Sequence, residues 1–230
     1  MGRIGPYSKG NAVAQVFSSR ANQIVYFVLY GALVLIILSP TIWIVLDRSF
    51  YHTGQFYALE QPAPFSHAHH VGEVGLDCRY CHQGVETTAS AGLPATEVCM
   101  TCHSQIFSDA PILAPVRKSL ASGVPLVWNR VNSLPDFVFF NHAVHVNNGV
   151  GCVSCHGRVD EMPLTWQEMP LTMEWCLGCH RDPGPNLRPE SAEFSMDWQP
   201  VGDRKKLASE LMAHFHIDTR TMTDCYACHR

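Results

Sequence analysis

The sequence predicts one membrane-spanning helix followed by an extramembrane domain of short helices and long loops, with little or no sheet. Three observations predict it. Residues Ile24 to Leu46 form an uncharged, almost wholly apolar run. Beyond that run Pro and Gly are frequent (15 and 16 in the whole chain), and few stretches keep a helical or alternating period. The ten cysteines all fall into copies of one short pattern.

The apolar run exceeds the roughly 20 residues that cross a bilayer as one helix. Arg3, Lys9 and Arg20 precede it, and Asp47 and Arg48 follow it without a cluster of positive charge. The positive-inside rule then puts residues 1–23 in the cytoplasm, residues 24–46 across the cell membrane, and the rest on the periplasmic side. A cleaved signal peptide would have a shorter apolar core, of about 7–15 residues, and a small-residue cleavage site. No such site is evident, so the run reads as a retained anchor. Pro40 is expected to kink it, and Trp43 sits near its outer end, where interfacial aromatics gather. Residues 47–62 read as a juxtamembrane linker and 63–230 as the extramembrane domain.

The formal charge of −4 gives no reason to expect nucleic-acid binding. Abundant cysteine outside the cytoplasm ordinarily means a disulfide scaffold, but the spacing here says otherwise. C-x-x-C-H occurs at Cys78–Cys81–His82, Cys99–Cys102–His103, Cys152–Cys155–His156, Cys176–Cys179–His180 and Cys225–Cys228–His229, and uses every cysteine. On a helical turn, residues three and four apart share a face. Two such thiols can form thioethers to the two vinyl groups of one haem, and the adjacent histidine then meets the iron from the proximal side. Zinc also takes Cys and His, but zinc does not explain a histidine after every second cysteine. The reading is a multihaem cytochrome c with five haem c groups, in which the cofactors fill a domain poor in regular structure.

The domain contains a repeat. Phe65-Ser66-His67-Ala68-His69-His70 leads into the first two motifs, and Phe140-Asn141-His142-Ala143-Val144-His145 leads into the next two. Two repeats, 63–138 and 139–200, are therefore expected, followed by a single-haem segment, 201–230. A six-coordinate iron needs a distal ligand, most often His or Met. His67, His70, His142 and His145 occupy matching positions and are the first candidates. One more ligand is required, for which His214, His216, Met169 and Met173 are candidates. His69 is matched by Val144 and reads as a non-ligand, and His52 as a surface or interface residue. The stretch from Ile106 to Asp136 reads as an irregular arm between the repeats.

This pattern resembles the pentahaem cytochrome subunits of alternative complex III over nearly all of residues 47–230. The likeness is carried by Gln61-Pro62 leading into Phe65-Ser66-His67, by the run Leu134 to His142, and by Trp175-Cys176 with Cys179-His180-Arg181. More loosely, the chain resembles the small class III multihaem cytochromes. The first resemblance implies an electron-transfer subunit in a quinol-oxidising complex. Its partners would be multi-pass quinol-binding membrane subunits and an iron–sulfur subunit. Its acceptor would be a further cytochrome c, a copper protein or another soluble carrier. Two other classes compare less well. Stand-alone quinol dehydrogenases of the NapC and NrfH type carry four haems and a Met shortly after the first motif, where this chain has Gln83-Gly84-Val85. A catalytic multihaem reductase needs an iron with an open position, whereas here all five motifs end in His and spare ligands are plentiful. No active site for bond-making chemistry is expected.

Overall fold

The computed structural model describes residues 18–229. It divides into one unit up to Ser49 and another from Phe50 onward. Residues 1–17, most of the expected cytoplasmic segment and with it Arg3 and Lys9, lie outside the described residues.

The first unit is a single helix, α1 (Ser19–Asp47). It starts ahead of the apolar run because Ser18 caps it, the Oγ accepting from the Ala21 amide at 3.2 Å. Its 29 residues extend about 44 Å at 1.5 Å per residue, enough to span a hydrocarbon core of about 30 Å. No residue of α1 is buried, and a helix apolar on all sides suits lipid. The helix runs on through Pro40. Beside the Ile36 carbonyl that the proline cannot serve, the Thr41 hydroxyl donates to the Ile37 carbonyl at 3.2 Å.

The second unit has short helices only: α2 (Phe50–Thr53), α3 (Cys78–Cys81), α4 (Thr96–His103), α5 (Ala114–Ser122), α6 (His142–Val146), α7 (Val153–His156), α8 (Met173–Arg181), α9 (Arg204–His214) and α10 (Cys225–Cys228). Polar side chains start several of them. Asp77 accepts from the Arg79 amide, Asn141 from Val144, Thr172 from Trp175, and Asp203 from Lys205 and Lys206. Among the described residues, strand pairing is confined to isolated bridges such as Gln55 with Gln167 and Val138 with His229.

One expectation needs correction. The stretch 106–136 is not wholly irregular, because it contains α5. Pro115 stands in the first turn of that helix, where it starts a helix and does not break it. Gly123 then closes α5 in the left-handed conformation, at φ 66°. The helix is tied to α4 by the Thr96 and Ser119 hydroxyls, 2.8 Å apart.

The two repeats interlock. A π-helical turn, Ala68–Glu73, packs on the 3-10 turn Val159–Glu161. There the Ala68 amide donates to the Met162 carbonyl at 3.0 Å, and Met162 is the most deeply buried large side chain among the described residues. The other buried apolar residues are few and mostly small: Ala63, Val85, Val116, Val146, Leu187, Ala192, Met196 and Leu211. Side chains alone do not make the core that a domain of this length requires.

Gly149 joins α6 to the third motif with φ at +79°, and a Cβ there would lie 2.3 Å from the Phe215 ring at the end of α9. Gly149→Ala is expected to lower stability by about 1–3 kcal/mol, read as a fall in the thermal unfolding midpoint of the purified protein.

Candidate haem-binding sites

Each motif occupies one helical turn. The amides of His82, His156 and His229 donate to the carbonyls of Cys78, Cys152 and Cys225, each at 2.9 Å. The second and fourth motifs form the ends of α4 and α8. In every case the two thiols and the histidine are gathered on neighbouring positions of one turn.

The spare histidines of each F-x-H-x-x-H segment face motif histidines of their own repeat. His67 stands opposite His82, with ring centres 6.4 Å apart and planes 9° apart. In the second repeat His142 and His156 are also 6.4 Å apart, at 5°. His70 and His103 are 6.1 Å apart at 69°, and His145 and His180 are 6.1 Å apart at 28°. A metal–imidazole bond is about 2 Å long, so two imidazoles on opposite sides of one iron have centres roughly 6 Å apart.

The same phenylalanine separates the two spare histidines in both repeats. Phe65 meets His67 edge-on at 4.9 Å and lies along His70 at 4.4 Å. Phe140 does the same with His142 at 4.7 Å and His145 at 4.5 Å.

The hydrogen bonds of these rings fit iron ligation. A histidine bound to iron through Nε2 carries its proton on Nδ1 and needs an acceptor there. The Nδ1 atoms of His70, His82, His103, His142, His145, His180 and His229 face the carbonyls of Ser66, Gly92, Ile106, Ala89, Asn141, Met222 and Phe137, at 2.8–3.2 Å. That of His67 faces the Thr165 hydroxyl at 2.7 Å. The exception is His156, whose Nδ1 lies 3.2 Å from the Asn132 amide nitrogen. Asn132 Oδ1 is meanwhile buried without a partner. Turning that amide over puts Oδ1 against the imidazole proton. Burial, then the neighbouring His82 and His70, lowers the His67 pKa to about 4. Burial, then His142, His82 and His67, does the same for His156. Both rings are thereby neutral, the form that binds a metal.

The cysteines of different motifs are neighbours in a definite pattern. Burial, and next Cys99, holds the Cys81 thiol above its usual range. The hydrogen bond that Cys152 donates to Cys78, followed by burial, does so for Cys152. Burial pushes Cys155 up to about 12, with Cys179 and Cys176 beside it. Cys176 is raised by burial and then by Cys228.

The remaining candidates lie elsewhere. His214 is exposed at the end of α9 with Nε2 3.4 Å from Glu190 Oε1, and His216 follows it at φ 54°. Met173 is the first residue of α8 and is exposed; Met169 is half-buried. The ring beside His229 is that of Phe137, 5.7 Å away. His69 pairs with Glu73 at 2.8 Å, and His52 lies in α2. Asn132, Thr165 and the dividing role of Phe65 and Phe140 were not foreseen. Only the phenylalanines had a sequence signal, their matching place two residues before a histidine.

A sheetless domain whose paired thiols and facing imidazoles follow an apolar helix defines a membrane-anchored multihaem cytochrome c. No protein-family profile matches the sequence. The chain is 41% identical over 171 residues to the multihaem cytochrome c subunit of a menaquinone reductase from Nitratidesulfovibrio vulgaris, covering 74% of this chain and 68% of that one. It belongs to the same family of multihaem cytochrome c subunits. The purified protein is expected to keep its haem absorbance through acid–acetone extraction, because thioethers hold the porphyrin. Loss of colour from the polypeptide would contradict this.

Proposed function

We propose that this chain is the haem relay of a membrane quinone oxidoreductase, binding five haem c groups and carrying electrons between quinone-reactive partner subunits and a soluble carrier. Haem iron supplies reversible one-electron carriage at each site. The chain's residues bind, orient and insulate. The observation that carries the reading is the set of four imidazole pairs at 6.1–6.4 Å. Cys78, Cys81, Cys99, Cys102, Cys152, Cys155, Cys176, Cys179, Cys225 and Cys228 form the thioethers. His82, His103, His156, His180 and His229 are the proximal ligands. His67 serves the iron of His82, His70 that of His103, His142 that of His156 and His145 that of His180. Among the described residues no imidazole faces that of His229, whose ring neighbour is Phe137, so its iron would have a ligand field different from the other four.

The relative's name supports the link to quinone, since that protein is a menaquinone reductase subunit. It also favours a direction opposite to the one the alternative complex III resemblance implies, with electrons arriving from a soluble carrier and leaving to quinone. The resemblance supports multi-pass quinone-binding subunits and an iron–sulfur subunit as partners. The charges around α1 support a periplasmic haem domain.

Near-infrared magnetic circular dichroism of the oxidised protein is expected to show four bis-histidine irons and one of another kind. Five bis-histidine signals would contradict the assignment at His229. In the purified complex, added menaquinol is expected to reduce the haems, or menaquinone to reoxidise them after reduction by a soluble cytochrome. Haems that respond to neither quinone form would sink the reading.

A further inference from the structure

We propose that the five sites form one unbranched row whose order is not that of the sequence: the His103 site first, then those of His82, His156, His180 and His229. This rests on the five-site reading above. The contacts between sites give the order. Within the first unit, Phe65 lies between His67 and His70, and Tyr80 of the first motif meets Thr101 of the second at 2.8 Å, which puts the His82 and His103 sites side by side. Between the units, the loop after His82 holds the next site: the Ala89 carbonyl accepts from the His142 amide at 3.0 Å and faces its Nδ1 at 2.9 Å, and Asn147 donates to the Glu86 carbonyl at 3.0 Å. Within the second unit, Phe140 lies between His142 and His145, which sets the His156 site beside that of His180.

The order follows from how the duplicated units meet. They join head to head: the loop that leaves the first motif of one unit, through the Ala89 and Glu86 carbonyls, holds His142 and Asn147 of the other, and His142 faces that unit's own first motif at His156. The second motif of each unit is thereby turned outward. At His180 the chain adds one more site, because the segment carrying the last motif supplies the Met222 carbonyl that holds His180. At His103 the equivalent acceptor is local, the Ile106 carbonyl. The His103 and His229 sites are therefore the two ends of the row, where electrons enter and leave. A carrier docking at either end must bring its own redox centre close to that site.

The crossed imidazoles of His70 and His103, at 69°, set that iron apart from the near-parallel pairs in the electron paramagnetic resonance spectrum. This gives a direct test. A photo-excitable ruthenium label on Asp109→Cys, in an exposed position past His103, injects one electron into the His103 site, the ruthenium being oxidised as the iron is reduced. In the otherwise unaltered holoprotein, freeze-quenched samples are expected to show the crossed-imidazole signal vanish and then return as the electron moves on. In Cys78→Ala with Cys81→Ala, which removes the His82 haem, its return is expected to slow by more than an order of magnitude. A signal that returns as fast without the His82 haem would overturn the row, because a sequence-ordered row runs from His103 directly to His156. Should the doubly substituted chain not accumulate, a cryo-electron microscopy structure of the haem-loaded complex decides the same point. The His103 porphyrin edge is expected nearest that of His82, and a nearer approach to that of His156 overturns the proposal. Fewer than five haems per unaltered chain would instead sink the five-site reading beneath it.

Discussion

The arrangement depends on hydrogen bonds from imidazole Nδ1 to oxygen acceptors. An imidazole turns freely about its Cβ–Cγ bond unless its second nitrogen is engaged, and a buried N–H without an acceptor costs about 1–3 kcal/mol. Seven of the acceptors are main-chain carbonyls, those facing His70, His82, His103, His142, His145, His180 and His229. A carbonyl already used in a helix or a ladder is poorly placed for this work. The long loops thus leave Gly92, Phe137 and Met222 to point at a ring, while the Ala89 carbonyl takes both the amide and the ring of His142. A sheet would have taken those groups.

The second constraint is space. Paired rings must stay a little over 6 Å apart across the porphyrin plane, while two spare histidines only three residues apart must serve different sites. Phe65 and Phe140 resolve this by lying flat against one imidazole and presenting an edge to the other. One side chain in each repeat thus touches both spare histidines.

Much of this was legible in the residues, for identifiable reasons. The apolar span shows itself by length and lack of charge, and the motifs by spacing within one turn; both are local. The spare histidines stood out because Phe65-x-His67-x-x-His70 and Phe140-x-His142-x-x-His145 match. Their partners were not legible, since facing His67 with His82 depends on how the intervening loop folds. Asn132 and Thr165 were invisible for a stronger reason: their partners lie 24 and 98 residues away, and neither belongs to a pattern. The helix α5 was hidden because proline usually marks a break, and its first-turn position is recognised only once the helix is seen. His214 and His216 drew attention by residue type alone; His214 ends α9 beside Glu190, and His216 follows it in the left-handed conformation.

The sources of the acceptors also bear on maturation. The His70–His103 site draws only on Ser66 and Ile106, so every group it needs has been synthesised soon after its own motif. The His142–His156 site reaches back to Ala89 and Asn132, already made. The His67–His82 site waits for Thr165, and the His145–His180 site for Met222 near the end of the chain. A protease that trims the last ten residues would thus remove the Met222 carbonyl and leave the His180 ring without its Nδ1 acceptor, while the Ser66 and Ile106 acceptors of His70 and His103 stay in place. Assembly has its own timetable, different from the order of the motifs along the gene.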